Sequence, residues 1–127
     1  WERVEELIEL MNLGAFRDKL VSELSTGSRR IVELACILAQ EPSVLLLDEP
    51  SAGLPPLMLE EVFAAIVEIV RQTGIAVLLV EQNATEALAI SDRAYVLVLG
   101  QVALSGAAET ILADDQVRQL YLGGAAV

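Results

Sequence analysis

The sequence predicts an α/β fold in which a mainly parallel core sheet is flanked by helices. Three observations predict it. Val44 to Leu47 is an apolar run that ends in two acids, Asp48 and Glu49, and then a proline. Such a run suits a strand buried on both faces of a parallel sheet. Ile75 to Val80 is a second run of the same kind, and a long segment of helical periodicity lies between the two.

The remaining elements follow in order. Val4, Leu7, Ile8 and Met11 make a short amphipathic helix, stopped at Gly14. The turn Ser25-Thr26-Gly27-Ser28-Arg29-Arg30 opens a second helix, with Ile31, Leu34, Ala35 and Leu38 at helical spacing and Glu41-Pro42 closing it. Pro55 and Pro56 introduce the long helix. Its inner face is Leu59, Val62, Phe63, Ile66 and Val70, and Gly74 is its stop. Asn83, with Glu86 three residues on, reads as a cap opening the helix Ala84 to Ile90. Arg93 to Leu99 and Gln101 to Ser105 read as two strands joined tightly at Gly100. A helical tail runs from Ala107 to Tyr121, and the segment from Gly123 onward is expected to fray. No internal repeat or linker interrupts the pattern.

Composition narrows the class. With 127 residues, 54% of them hydrophobic, the chain makes one domain at most, with enough apolar residues to build a core. No apolar run approaches the length of a membrane span, and no signal peptide opens the sequence. The lone Cys36 falls inside a predicted helix, which leaves no disulfide framework, suits a reducing compartment and is expected to be a small core residue. A formal net charge of −11 argues against nucleic acid as a partner, because phosphate backbones are held by Lys and Arg.

Two places carry chemistry. Ligands of open α/β sheets bind just outside the carboxyl ends of the strands. Asp48 and Glu49 stand there, where two carboxylates can hold a hydrated Mg²⁺ and poise a water for attack on a phosphate. A solvated acidic turn is an equal reading of the two acids alone. The Ser25–Ser28 turn presents hydroxyls and backbone N–H groups where the helix dipole favours an anion, with Arg29 and Arg30 adding positive charge. An ordinary N-cap explains that turn by itself more simply.

Taken together, LSTGSRR, a helix, VLLLDEPSAGL and a later strand resemble the ATP-binding cassette ATPases, whose fold is P-loop NTPase-like. The resemblance covers almost the whole chain and rests on order and spacing. It makes LSTGSRR a worn form of the signature usually written LSGGQ, and VLLLDEP the Walker B strand. It implies that Asp48 holds Mg²⁺ and that Glu49 is the general base. Ser51 to Pro55 falls on the D-loop, and Ile75 to Gln82 on the strand that ends in the switch position. The signature residues Ser25, Thr26, Gly27 and Ser28 would face ATP, with Ser25 and Gly27 touching the γ-phosphate held by a partner protomer. Gln82 would take the switch role.

Three features depart from the family pattern. Thr26 stands where the first signature glycine is usual, and Ser28 where glutamine or glutamate is usual. Gln82 replaces the switch histidine, and the chain contains no histidine; glutamine can orient a water or phosphate but carries no proton. No glycine-rich GxxxxGK(S/T) loop, the element that cradles phosphates, occurs in the chain. In the family it precedes the signature, so residues 1–42 are expected to be part of the helical signature subdomain. Residues 43–127 are expected to be the C-terminal part of the ATPase core, within a nucleotide-binding domain that extends further upstream.

The resemblance implies an ATPase that powers a membrane transporter, peripheral on the cytoplasmic side of the membrane. Its partners would be a second ATPase subunit, bound head to tail, and transmembrane permease subunits. VEQNATEAL, DEPSAGL and the closing LYLGG resemble the ATPase subunits of branched-chain amino-acid importers, so import of such amino acids or similar amides is expected. Two other readings stay open. One is a cassette ATPase of DNA repair or translation, against which the acidity and the lack of insertions near the signature count. The other is a non-catalytic partner subunit, against which the intact Asp48-Glu49 pair counts.

Overall fold

The computed structural model describes residues 1–114 and 117, and it divides into two compact units, Trp1–Val80 and Glu81–Val127.

The first unit holds α1 (Glu2–Leu10), α2 (Thr26–Leu38), β1 (Val44–Asp48), α3 (Pro56–Thr73) and β2 (Ala76–Val80). Helix α1 stops earlier than the expected Gly14: Met11 caps it and Asn12 turns the chain at φ +52, a conformation that asparagine tolerates. Gly14 to Phe16 is a separate 3-10 turn. Helix α2 starts as read and buries Gly27, Leu34, Ala35 and Leu38. That stripe points Cys36 away, so the thiol is exposed rather than a core group.

Helix α3 has Pro55 at its N-cap and Pro56 in its first turn, where a missing N–H costs nothing. Gly74 closes it at φ +67 with its N–H on the Val70 carbonyl, the left-handed stop that glycine adopts without Cβ strain. Its inward residues are Val62, Phe63, Ile66 and Ile69, whereas the expected Val70 is 40% exposed. A step of three rather than four residues after Ile66 keeps the stripe on the buried side, because 3.6 residues make one turn.

Strands β1 and β2 pair in parallel, in register from Val44 opposite Ala76 to Asp48 opposite Val80. The expectation of two strands buried on both faces is not met. Leu45 and Leu47 are buried, but Leu46 is 69% and Leu78 57% exposed, and Val44 and Val80 share that open face. Alternate side chains point to opposite faces. Within this unit one face of the pair is covered and the other is an apolar surface.

The second unit holds α4 (Ala84–Ala89), β3 (Arg93–Val98), β4 (Gln101–Ala107) and α5 (Ala108–Ala113). Asn83 does occupy the N-cap of α4, but its side chain makes no capping bond. β3 and β4 form an antiparallel hairpin with an irregularity at Val96/Leu97. Leu99 and Gly100 turn it at φ +48 and +77, the tight two-residue connection whose twist matches the strands. Leu88, Ala108, Ile111 and Val117 form the core, with Ala94 and Val96 against it. Of the expected tail, Ala108–Ala113 is helical; LYLGG and the residues from Gly123 onward lie outside the described residues.

Candidate functional site

The acid pair sits where the sequence placed it. Asp48 is the last residue of β1 and is exposed; Glu49 follows, half-buried, and continues the ladder by donating its N–H to the Val80 carbonyl at 2.8 Å. Glu49 does so at φ +46, in the left-handed region that a non-glycine residue occupies at a cost of about 1 kcal/mol. The strand therefore ends in a sharp reversal. It is fixed by Ala52 N–H on the Glu49 carbonyl at 3.0 Å and Leu54 N–H on the Ser51 carbonyl at 3.1 Å. Pro50 is buried and Ser51 only 2% exposed. The reversal thus has a buried anchor, while Asp48 on one side of it faces solvent.

The second group is the Ser25–Ser28 turn. Ser25 is the N-cap of α2: its Oγ accepts the Ser28 N–H at 3.1 Å and lies 2.9 Å from the Ser28 Oγ. The Arg29 N–H reaches the Ser25 carbonyl at 3.0 Å. The Arg29 bond is the first of the helix itself, so the Ser25 hydroxyl accounts for one of the four N–H groups that a helix start leaves unpaired, that of Ser28. Thr26, exposed, stands in the first position. The two arginines differ in their surroundings. Arg29 Nε donates to the Leu24 carbonyl at 3.1 Å, which pins its charge against the turn, whereas Arg30 pairs with Glu33 at 3.0 Å and is spent along the helix. Only the first adds positive charge to the turn.

One contributor to this turn carried no signal in the sequence. Met58, in the first turn of α3, has its Sδ 3.8 Å from the Ser25 Oγ and packs against Gly27. Neither spacing nor periodicity singles out a methionine at a helix start.

Gln82 belongs to the second unit, two residues past β2, and is exposed. Its N–H donates to the Glu81 carboxylate at 3.2 Å and its carbonyl accepts from Ala84 at 2.8 Å, so the backbone there is a compact turn leading into α4. Among the described residues no cluster of three or more His, Cys, Asp or Glu could hold a metal ion. Asp48, the residue expected to hold a metal, offers one carboxylate to solvent. That suits Mg²⁺, which keeps several waters and takes one or two carboxylates together with substrate phosphates.

Residues 1–52 match the family described as ABC transporter. The lipopolysaccharide export system ATP-binding protein LptB of Haemophilus influenzae is 39% identical over 122 residues, covering 96% of this chain and 50% of the relative. The high-affinity branched-chain amino acid transport ATP-binding protein BraG of Pseudomonas aeruginosa is 37% identical over 123 residues, covering 96% and 52%. The chain thus spans about half the length of the curated relatives it matches. Among solved structures, cbiO1 from Clostridium perfringens superimposes with a TM-score of 0.83 at 30% identity, covering 93% of this chain and 47% of that one. An ATP-binding cassette of an ABC transporter in its ADP conformation does so at 0.80 and 28%, covering 96% and 49%. With the acid pair at a parallel strand end, a capped signature-like turn and these likenesses in hand, the chain belongs to the ATP-binding cassette family of ABC transporters.

Proposed function

We propose that this chain contributes the signature turn, the metal-binding acid and the general base of an ATPase that drives a membrane transporter. The observation that carries the reading is the end of β1. There Asp48 is exposed, and Glu49 is held in a left-handed conformation with its N–H tied to Val80. Such strain is retained where the surrounding structure over-determines it, typically at functional sites.

Each residue has a role in that reading. Asp48 would hold Mg²⁺, which would neutralise charge developing on the phosphates. Glu49 accepts a proton from the attacking water and so aims it at phosphorus. Ser25, Thr26, Gly27 and Ser28 offer hydroxyls and a helix N-terminus to the γ-phosphate of ATP held by a partner cassette. Gln82 orients the water or the phosphate by hydrogen bonds without moving a proton. The partners are a second ATPase subunit and permease subunits, with the chain peripheral on the cytoplasmic side of a membrane. No helix among the described residues is long and apolar enough to cross one itself.

The test is Glu49→Gln in the gene product that carries residues 1–127. General-base removal costs about 10²–10⁴ in rate, while the near-isosteric amide leaves ATP binding intact. Turnover reduced by less than about threefold would remove Glu49 from the role.

For the cargo, VEQNATEAL, DEPSAGL and the likeness to BraG support import of branched-chain amino acids or similar amides. A second reading, lipopolysaccharide export, is favoured by LptB relatives at 38% to 43% identity. Neighbouring genes for permeases and a periplasmic binding protein support the first; genes of a lipopolysaccharide export system in their place overturn it.

A further inference from the structure

We propose that Met58 is a positioning residue for the Ser25–Ser28 turn, an inference that rests on the ATPase reading above. Gly27 is buried in the first turn of α2 and is not among the glycines with positive φ, so its backbone does not require glycine. Space does. A Cβ added at Gly27 would stand 2.5 Å from the Met58 Sδ, 3.1 Å from its Cβ and 3.2 Å from its Cγ. At 2.5 Å the thioether has to move aside, and the Met58 Cβ and Cγ, which are less free to swing away, have to give way as well.

The hydroxyls point to the same residue. Ser25 Oγ has one proton to give and two lone pairs. It accepts the Ser28 N–H at 3.1 Å and lies 2.9 Å from the Ser28 Oγ, with Met58 Sδ on its third side at 3.8 Å. One arrangement satisfies every group. Ser28 donates both its N–H and its O–H to Ser25, and Ser25 donates to the thioether. Sulfur is a weak acceptor, so a phosphate oxygen takes over that proton with only a rotation of the hydroxyl. A carbonyl or carboxylate in the same place would hold the proton against the nucleotide.

Met58 also joins the signature turn to the segment that follows Glu49. Its N–H donates to the Pro55 carbonyl at 3.0 Å, at the end of the Ser51–Pro55 segment that follows Glu49. A shift of that segment therefore reaches the signature turn through one side chain. The thioether is flexible enough to follow it and bulky enough to set its depth.

The experiment uses the gene product that carries residues 1–127, with variants Gly27→Ala, Met58→Ala, the two combined, and Glu49→Gln. Gly27→Ala should lower kcat about tenfold or more, since misplacing a reacting group by ~1 Å can cost on the order of 100-fold. KM for ATP should stay within about twofold, because the turn meets nucleotide already held by the partner. Adding Met58→Ala to Gly27→Ala removes the clash and should raise kcat about threefold or more above Gly27→Ala alone. A double variant no more active than Gly27→Ala overturns the inference, because glycine is then needed for the phosphate itself. A double variant that regains the parent melting temperature but not the turnover overturns it too, since the contact then serves folding alone. Failure of the ATPase reading shows separately, as a Glu49→Gln variant that turns over at the parent rate.

Discussion

Ser25→Asp separates the two things that Ser25 can do. As the N-cap of α2, Ser25 accepts the Ser28 N–H at 3.1 Å, and aspartate caps a helix as well as serine does. Ser25→Ala loses the cap, which costs about 1 kcal/mol. For 127 residues, at about 2.1 cal/mol/K per residue, the unfolding entropy is about 0.27 kcal/mol/K, so Tm falls by about 4 °C. Ser25→Asp should leave Tm within about 1 °C of the parent, because the carboxylate accepts the same N–H and suits the helix dipole. Function separates the two variants. A carboxylate ~4 Å from a phosphate charge at an effective dielectric constant of ~20 is disfavoured by about 4 kcal/mol. Turnover of the gene product should therefore fall by about tenfold or more even after generous screening. Thermal melts and steady-state ATPase rates of the three proteins decide. Parent-level turnover by Ser25→Asp would mean that Ser25 is a cap and nothing more, and the assignment of this turn to phosphate would be refuted.

Three further outcomes are expected. The 127-residue chain contains no GxxxxGK(S/T) loop, so calorimetry should find no tight Mg-ATP binding to it alone, and micromolar affinity would contradict the division of labour proposed here. Its open face, with Leu46 69% and Leu78 57% exposed beside the unpaired edge of a two-stranded sheet, should drive self-association in sedimentation. Leu46→Lys with Leu78→Lys should suppress that association, and a monodisperse parent that melts cooperatively would count against it. Glu68 is held at a pKa of about 2, below the usual 4.5, first by its hydrogen bond from Arg71 and then by that from Gln72. A depressed carboxylate stabilises the fold above its unfolded pKa and loses that contribution as pH falls through the folded one. Between about pH 4.5 and 2, Glu68→Gln should therefore flatten the acid decline in Tm, and an unchanged pH profile would deny the interaction.

Local signals determined much of this protein. Apolar runs fixed both parallel strands, Pro55-Pro56 and Gly74 bounded α3, and Ser25 marked the start of α2, because these features act through the backbone of their own residues. The acid pair was legible for the same reason: Asp48-Glu49 ends an apolar run, and chain order alone puts it at a strand end. What depends on neighbours was not legible. A run such as VLLL reads alike whether one face or two are covered, so the exposure of Val44 and Leu46 emerged only once the packing was known. Cys36 and Val70 turned outward because the stripe that a helix buries is chosen by what packs on it, to within one residue of the periodic pattern. The left-handed Glu49 and the Met58 thioether beneath Gly27 belong wholly to the tertiary structure. The first is imposed by the bond to the Val80 carbonyl, and the second joins residues 31 positions apart, a contact that no local propensity encodes.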